Sequence, residues 1–311
     1  MPLRTYGEGG LSNDPMRVCA GCEDADADAG SDERSHVHMG WLGIQPYVGM
    51  GMAQGGAEMA GVMEIRGVRL GEGVPKVIVP LVGRTKDEVL QQARRLHGAP
   101  FDMIEWRGDW FEGIFDKDKR MDLLSMLRRL VQDVPVLFTF RSSREGGERD
   151  ISAEEYSSLL ADAGESGLVD LVDVEAYFPE ADVDGLIERL HGQGVKVIAS
   201  FHDFEKTPSR EEMLRRLFGM HGLSADIIKL AVMPRDAGDV LALLAATEEM
   251  TRKHAIKPVI AMSMGRLGMI SRICGETFGI AATFGSLGTG SAPGQIAAGS
   301  LAQILEVLHD G

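Results

Sequence analysis

Short apolar runs alternate with amphipathic segments along the chain from about Val62 to the C-terminus. The first segment, VMEIRGVRLGEG, alternates apolar and polar residues and ends in glycine, which predicts a short β-hairpin. Eight apolar runs follow, and each has the length and composition of a buried strand. In chain order they are KVIVPLV, DMIEW, PVLFTF, VDLVDVE, KVIASF, DIIKLAV, PVIAMSM and AATFGS.

An amphipathic segment follows each apolar run and predicts a helix. Three of these helices begin with the capping-box pattern, in which Ser or Thr is followed three residues later by Glu. The pairs are Thr85 with Glu88, Ser152 with Glu155, and Ser209 with Glu212. The remaining helical segments are LLSMLRRLVQ, VDGLIERLHGQ, DVLALLAATEEMTRKH, LGMISRICGETFG and PGQIAAGSLAQILEVLH.

Eight strand–helix units in about 250 residues predict an α/β fold, a closed (β/α)8 TIM barrel. An open, doubly wound sheet is the competing architecture, since it is built from the same units. The first predicted strand is followed by neither G-x-G-x-x-G nor a P-loop, the signatures of nucleotide-binding open sheets. We therefore favour the barrel, on the number of repeats.

Residues 1–60 lack this periodicity. They contain nine acidic and three basic residues, with stretches such as GEGG, DADADAGSDE and MAQGGAEMAG. This composition is typical of disorder, because such a segment buries too little apolar surface to fold. We predict an acidic, Gly/Met-rich, disordered extension over residues 1–60 and a barrel domain over residues 61–311.

Two of the three cysteines, Cys19 and Cys22, form a C-x-x-C pair in this extension. His36 and His38 follow, so a Cys2His2 zinc site is one interpretation. We favour reduced thiols in a disordered tail and predict no metal site. No disulfide framework is visible, which is typical of proteins in the reducing cytoplasm.

The composition of the chain argues against nucleic acid and membranes as its main partners. The formal net charge of −15 argues against nucleic acid as the main partner. No apolar stretch reaches the roughly 18 residues of a membrane span, and the N-terminus lacks a signal sequence. We expect a cytoplasmic protein with a small-molecule partner, and an acidic enzyme that binds an anion must gather arginines at its site.

Polar side chains follow the predicted strands at their C-terminal ends, where barrels carry their active sites. Loops are polar in any protein, so each position is weak evidence by itself. In chain order these residues are Glu105, Arg107, Arg141, Glu145, Asp173, Glu175, Ser200, His202, Lys229, Ser263, Arg272, Ser286, Ser291 and Gln295.

Lys229 is the most informative of these residues, because Ile227, Ile228 and Leu230 surround it in the sequence. Burying an ammonium group without a partner costs on the order of several kcal/mol, so such a lysine tends to lose its proton. A neutral amine forms an imine with a ketone, and a histidine such as His202 can move protons at the adjacent carbon. The pair predicts elimination or aldol-type cleavage beside a ketone.

Purely structural interpretations of the same residues stay open. Glu105 and Arg107 alternate on one strand and could form an ion pair. Arg141 could end its strand in solvent, and Arg272 could lie on an exposed helix face. His202 could be an ordinary loop histidine.

Six motifs occur in order along the predicted barrel. They are EWR at 105–107, FTFRSSREGGE at 138–148, ASFHDFEKTP at 199–208, IIKLAV at 227–232, AMSMGRLGMISR at 261–272, and ATFGS with SAPGQI between 282 and 296. Together they resemble the type I 3-dehydroquinate dehydratases, with FHDF, IIK and SAPGQ the most specific. The resemblance implies a (β/α)8 barrel closed at the bottom by an N-terminal β-hairpin, and a homodimer. It also implies dehydration of 3-dehydroquinate to 3-dehydroshikimate in the shikimate pathway, with no metal or organic cofactor.

The resemblance also implies a role for each site residue. Lys229 matches the lysine that forms an imine with the ring ketone. His202 matches the residue that takes the proton beside the ketone and helps to expel the hydroxyl as water, and Glu145 matches the carboxylate that supports it. The remaining matches are Arg272, Ser291 and Gln295 for the substrate carboxylate, Glu105, Arg107 and Arg141 for the ring hydroxyls, and Met264 and Phe284 for the apolar lining. Pro80 departs from the pattern, since some members carry serine there.

Two other functions stay open. Another Schiff-base barrel, such as a class I aldolase, would also use Lys229 but would leave FHDF and SAPGQ unexplained. A catalytically silent binding module is the third interpretation, and it must account for the presence of every residue that the mechanism requires.

Overall fold

The structure is a computed structural model that describes residues 61–288 and 291–311. The predicted extension at residues 1–60, with Cys19 and Cys22, lies outside the described residues. Over the described part of the chain, no helix combines the length and apolar character that crossing a membrane requires.

The described residues form eleven strands and eight α-helices. The strands are β1 (Met63–Ile65), β2 (Val68–Leu70), β3 (Lys76–Leu81), β4 (Met103–Arg107), β5 (Val136–Thr139), β6 (Leu171–Glu175), β7 (Lys196–Asp203), β8 (Ile227–Val232), β9 (Val259–Ser263), β10 (Ala282–Ser286) and β11 (Ile296–Ala297). The helices are α1 (Lys86–Arg95), α2 (Lys117–Val131), α3 (Ala153–Glu165), α4 (Val183–Gly192), α5 (Arg210–Gly222), α6 (Ala237–Lys253), α7 (Ile270–Ile273) and α8 (Ala298–Asp310).

The parallel sheet closes on itself. Strands β3 to β9 pair in parallel in chain order, and β10 pairs with β3. The start of β10 meets β9 through a bridge between Val259 and Ile280, and the N–H of Ala281 donates to Val259 O at 2.8 Å. The two-residue β11 extends the C-terminal end of β10. The predicted (β/α)8 barrel is therefore confirmed.

The barrel interior consists of layers to which alternate strands contribute, as inward-facing side chains do in such barrels. The even-numbered strands β4, β6, β8 and β10 supply one apolar layer, Met103, Leu171, Ile227 and Ala282. The odd-numbered strands β3, β5, β7 and β9 supply another, Ile78, Leu137, Ile198 and Ile260. The outward-facing strand residues pack against the helices in a second apolar cluster. Because both faces of each strand are buried, the strands read as unbroken apolar runs.

The hairpin of β1 and β2 closes one end of the barrel, as the resemblance implied. Ile65 and Leu70 are buried in the same cluster as the barrel interior. Arg66, in the turn of the hairpin, pairs with Asp170 at 2.5 Å, directly before β6. The hairpin therefore lies at the N-terminal ends of the strands, opposite the end where active sites are found.

The three predicted capping boxes lie at helix starts in the structure, whereas the helix predicted over PGQIAAGSLAQILEVLH begins only at Ala298. Thr85 and Ser152 each form a complete capping box, and Ser209 caps α5 by accepting the N–H of Glu212. These bonds satisfy N–H groups in the first turn, which have no partner within the helix.

The prediction of one helix over LGMISRICGETFG is wrong. Only α7 is α-helical there, between 3₁₀ turns at Leu267–Met269 and Gly275–Phe278. The Ser271 hydroxyl accepts the N–H of Ser263 at 2.9 Å and donates to Gly268 O at 2.7 Å. Local side-chain bonds of this kind compete with regular helix, and here they tie the segment to the end of β9.

An aspartate stands one residue before each of β4, β6 and β8 and binds the preceding strand. Asp102, Asp170 and Asp226 accept the backbone N–H groups of Val77, Val136 and Val197 at 2.7, 2.8 and 2.8 Å. These carboxylates satisfy strand-end donors that would otherwise lack a partner in the sheet. The N-terminal end of the barrel is therefore fastened by side chains that are separate from the candidate site.

Candidate active site

A cavity lies at the C-terminal ends of the barrel strands. It is lined by most of the site residues that the sequence identified. These are Glu105, Arg107, Arg141, His202, Lys229, Met264, Phe284, Ser291 and Gln295. Glu145 and Arg272 stand behind this lining, in contact with His202 and with Met262 respectively.

Lys229 lies in a layer of inward-facing side chains, one level above the apolar layer of the even-numbered strands. Its companions are Glu105 of β4, Asp173 of β6 and Phe284 of β10. The Lys229 Nζ atom lies 3.1 Å from Asp173 Oδ2, 3.8 Å from Glu105 Oε1 and 4.6 Å from the centre of the Phe284 ring. Only 4% of Lys229 is exposed, as the apolar sequence around it predicted.

The expectation that this lysine has no partner is wrong. The barrel brings two carboxylates within 4 Å of its amine, and Asp173 forms a hydrogen bond with it. Burial alone would raise the pKa of Asp173, but the charges of Arg141 and Lys229 outweigh burial and lower this pKa to about 2. Lys229 therefore faces an ionised carboxylate on one side and the cavity on the other.

His202 is held by Glu145. The His202 Nδ1 atom lies 2.9 Å from Glu145 Oε2. The same oxygen accepts the backbone N–H of His202 at 3.0 Å and Arg141 Nη1 at 3.3 Å, and both of these groups can only donate. Because Oε2 already accepts two N–H groups, we assign the ring proton to Nδ1, which leaves Nε2 of the neutral ring free to accept one.

The environment of His202 favours its neutral form. Burial, together with the positive charges of Arg141, Lys229 and Arg107, lowers the pKa of His202 well below 6.5. Burial also raises the pKa of Glu145, an effect that Arg141 opposes and Glu175 adds to. His202 lies within β7 and not in a loop, and it lines the same cavity as Lys229.

Arg141 is buried among carboxylates and does not end its strand in solvent. Its Nη2 donates to Asp173 Oδ1 at 2.6 Å, and its Nη1 lies 3.1 Å from Glu175 and 3.3 Å from Glu145. Burial by itself would lower the pKa of Arg141. The three carboxylates outweigh burial and raise this pKa well above its usual value. Arg141 stays a cation at the cavity wall.

Glu105 and Arg107 do not pair with each other. Arg107 binds Asp109 through two hydrogen bonds of 2.9 Å, a bidentate geometry that holds the guanidinium rigidly. Glu105 instead accepts the Thr139 hydroxyl at 2.9 Å. Glu105 and Arg107 are two residues apart on β4, so their side chains point to the same face of the strand, and both reach the cavity.

Arg272 is fully buried, so its interpretation as an exposed helix residue is wrong. Its Nη2 donates to Pro293 O at 3.2 Å, its Nη1 contacts Met262 Sδ at 3.5 Å, and its Nε has no hydrogen-bond partner in the described part of the protein. Burial lowers the pKa of Arg272 to about 10. A buried guanidinium without a carboxylate is prepared for an anionic ligand.

Ser291 and Gln295 lie beside this arginine in the segment that contains Pro293. Gln295 Oε1 accepts the N–H of Ser291 at 3.0 Å, and Gln295 Nε2 donates to the Ser291 hydroxyl at 3.2 Å. Arg107 Nη1 lies 3.4 Å from Ser291 O and joins the two sides of the cavity mouth. The predicted carboxylate-binding set therefore lies along one wall.

The strand-end pattern indicates Asp173 and Glu175 but no role for them, and it does not include Asp109. The signal was present in the D-x-E spacing of β6, which places both carboxylates on one face of the strand. Phe204, Ala231 and Met262 also line the cavity and carry no polar signal in the sequence. No group of three or more His, Cys, Asp or Glu side chains within residues 61–288 and 291–311 is arranged to hold a metal ion.

Comparison with known proteins supports this picture over most of the chain. The sequence profile of the family described as type I 3-dehydroquinase matches residues 77–311. The 3-dehydroquinate dehydratase of Bacillus licheniformis is 47% identical over 251 residues, which cover 81% of this chain and 99% of that protein. The type I 3-dehydroquinate dehydratase of Clostridium difficile, solved with covalently modified comenic acid, is 44% identical with a TM-score of 0.78 and covers 81% of this chain and 99% of that one. The structure of the Geobacillus kaustophilus 3-dehydroquinate dehydratase is 35% identical, with a TM-score of 0.77, and the match covers 80% of this chain and 96% of that one. The chain therefore belongs to the type I 3-dehydroquinase family.

Proposed function

We propose that this protein dehydrates 3-dehydroquinate to 3-dehydroshikimate, a step of the shikimate pathway, through an imine on Lys229. The observation that carries the proposal is the arrangement of the cavity, onto which Lys229 and His202 both open beside the buried cation Arg272. The names of the relatives support this substrate, and the covalently modified ligand of the Clostridium difficile structure supports a covalent step.

Lys229 supplies the nucleophile. The Lys229 ammonium first gives up one proton, and the neutral Nζ attacks the ketone carbon. The carbonyl oxygen then leaves as water with that proton and one N–H proton, so that a C=N⁺ iminium, which keeps the last N–H proton, replaces the C=O bond. The iminium draws electrons from the neighbouring C–H bond and makes that hydrogen acidic. Phe284, 4.6 Å from Nζ, keeps this side of the site apolar.

His202 moves the proton. Its Nε2 removes the hydrogen beside the iminium, and the electron pair of that C–H bond forms an enamine. The enamine then expels the ring hydroxyl, which leaves as water with the proton that His202 returns. Hydrolysis of the remaining iminium releases 3-dehydroshikimate and restores Lys229. Glu145 holds the imidazole in the required tautomer throughout.

The rest of the lining fits the substrate's one carboxylate and several hydroxyls. Arg272, Ser291 and Gln295 bind the carboxylate, with the guanidinium providing the charge. Glu105, Arg107 and Arg141 bind the ring hydroxyls, since together they offer both acceptors and donors. Met264 and Phe284 pack against the carbon ring. The mechanism needs no metal or organic cofactor.

Borohydride trapping tests the proposal. Borohydride reduces an iminium to a stable amine, so addition together with 3-dehydroquinate should inactivate the protein and place the adduct on Lys229 in a peptide map. In His202→Ala the adduct should still form, while turnover falls by about 10²- to 10⁴-fold, since only proton transfer is lost. An inactivated protein whose Lys229 is unmodified would rule out the mechanism.

The product separates dehydration from aldol cleavage. 3-Dehydroshikimate contains a conjugated ketone that absorbs in the near ultraviolet, whereas aldol fragments do not. A rise in this absorbance supports the dehydratase, and a silent binding module would give no change. A homodimer and a cytoplasmic location stay predictions, as do the boundaries of the barrel domain at residues 61–311 and of the extension at residues 1–60.

A further inference from the structure

Asp173 is a buried carboxylate to which the mechanism above gives no role. It lies on β6 with 0% exposure, behind the residues that line the cavity. An ionised group in such a place needs strong partners, because removing a charge from water is costly. Its partners therefore indicate what it does.

The two oxygens of Asp173 hold two different functional cations. Oδ2 accepts from Lys229 Nζ at 3.1 Å, and Oδ1 accepts from Arg141 Nη2 at 2.6 Å. The Ser200 hydroxyl donates to Oδ1 at 2.6 Å and accepts from Arg141 Nη1 at 3.1 Å, which fixes the orientation of the carboxylate.

The same contacts connect the nucleophile to the base. Arg141 Nη1 also bonds Glu145 Oε2 at 3.3 Å, and this oxygen holds His202 Nδ1 at 2.9 Å. A continuous series of charged contacts therefore runs from Lys229 through Asp173, Arg141 and Glu145 to His202. A displacement of Asp173 would therefore shift both Lys229 and His202.

The charge of Asp173 also suits the reaction. Lys229 carries one positive charge as an ammonium and one as an iminium, so the same carboxylate compensates both states without rearrangement. The pKa of about 2 keeps Asp173 ionised at every pH at which the protein would work. Glu105, the other carboxylate near Nζ, is farther away at 3.8 Å.

Resting on the imine mechanism proposed above, we propose that Asp173 is a positioning residue that aligns Lys229 with the Glu145–His202 pair and balances the charge of the iminium. Asp173 touches no substrate atom in this scheme and acts through Lys229 and Arg141. Its loss should therefore slow the chemistry while substrate binding by Arg272 and Ser291 is retained.

Asp173→Asn tests this role, since it keeps the shape and removes the charge. We expect kcat to fall by about 10- to 100-fold, the range of a charged hydrogen bond. KM should stay within about threefold, because Arg272, Ser291 and Gln295, which bind the substrate carboxylate, form no hydrogen bond with Asp173. The fraction of Lys229 trapped by borohydride in a fixed time should fall together with kcat.

Glu175→Gln is the matched control. It removes another buried carboxylate of β6 that bonds Arg141 at 3.1 Å, but whose other bonds go to Ser142. Its trapped fraction should equal that of the wild type even if its melting temperature falls. Equal losses of trapping in both variants would show a general effect of buried charge and overturn the specific role of Asp173.

Ser200→Ala decides the question if Asp173→Asn does not fold. It leaves the charge but removes the bond that orients Oδ1, so kcat should fall by about threefold to tenfold at unchanged KM. Wild-type kcat in this variant, or in folded Asp173→Asn, would overturn the inference. Wild-type protein that neither dehydrates 3-dehydroquinate nor forms an adduct would instead overturn the proposed function, so the two failures are distinguishable.

Discussion

At the level of single residues, the buried charges of the site are arranged in opposite pairs. Lys229 and Arg141 share the carboxylate of Asp173, and this pairing offsets the cost of removing each charge from water. Arg272 differs, since its protein contacts are a carbonyl and a thioether. The guanidinium of Arg272 is thus the strongest indication of an anionic substrate.

The pH dependence of turnover tests the state of His202. Because burial and nearby cations lower its pKa well below 6.5, the imidazole stays neutral as the pH falls and is protonated only when the pH passes the lowered value. We expect kcat to be constant from about pH 8 to about pH 6, followed by the absorbance of 3-dehydroshikimate. A loss of half of kcat near pH 6.5 would contradict the geometry.

Replacing Arg272 should weaken binding without loss of stability. In Arg272→Met, KM should rise by about 10- to 100-fold, because a charged hydrogen bond to the carboxylate is lost. The free energy of unfolding, measured in urea, should stay equal or increase, since the unpaired cation is costly to bury and its pKa is lowered to about 10.

Arg120 provides the control for Arg272. It is also buried, but it pairs with Asp162 at 2.6 Å. Arg120→Met should lower the free energy of unfolding by about 1–3 kcal/mol, because Ile114 O loses its donor and Asp162 keeps only the exposed Lys117, at 2.9 Å, as a partner. A larger loss of stability in Arg272→Met than in Arg120→Met would show that Arg272 is a structural cation.

At the level of elements, the C-terminal ends of the strands carry the proposed site, and the N-terminal ends carry contacts that stabilise the barrel. The C-terminal ends carry the layer of Glu105, Asp173, Lys229 and Phe284 and the cavity above it. The N-terminal ends carry the aspartates that fasten neighbouring strands and the hairpin that covers the apolar layers. Stability and chemistry are thus concentrated at opposite ends, as is general in such barrels.

Replacing Asp170 tests whether the N-terminal ends of the strands contribute to stability and not to catalysis. Its carboxylate accepts the N–H of Val136 and pairs with Arg128 and Arg66 at 2.5 Å each, so it joins β5, α2 and the hairpin. Asp170→Ala should lower the free energy of unfolding by about 2–4 kcal/mol, measured in urea, because three donors lose their acceptor. The kcat of the folded variant should be unchanged.

Asp133→Ala is the matched control, since Asp133 is an exposed residue between α2 and β5. It should change the free energy of unfolding by less than about 0.5 kcal/mol. If Asp170→Ala behaved like this control, the N-terminal aspartates would have no part in holding the barrel.

At the level of the whole molecule, the residues of the proposed site all belong to the region that follows the hairpin. The family match starts at residue 77, and the cavity is lined by residues between Glu105 and Gln295. Removal of residues 1–60 should therefore leave kcat and KM within about twofold of the full chain, since the lining residues that the structure describes all belong to the barrel. A collapse of activity or of the melting temperature would show that the extension belongs to the fold.

The order of the barrel's elements is visible in local patterns. A strand that is buried on both faces must be apolar along its whole length, as IIKLAV is, and a capping box such as Thr85 with Glu88 acts within one turn. The grouping of Lys229 and His202 could also be predicted, because parallel barrel strands present their C-terminal ends to one site. These features depend on neighbours in the sequence or on the general geometry of the barrel.

The pairing of side chains across the barrel depends on the folded chain. Asp173 meets Lys229 from 56 residues earlier, because layers in the barrel are built from alternate strands and β6 and β8 share a layer. Arg107 pairs with Asp109, in the turn that follows β4, rather than with Glu105 on the strand. Strand stagger and barrel closure determine such contacts, and no local pattern records them. For this reason the sequence suggested an unpartnered amine at Lys229, whereas the fold makes it one member of an ion pair.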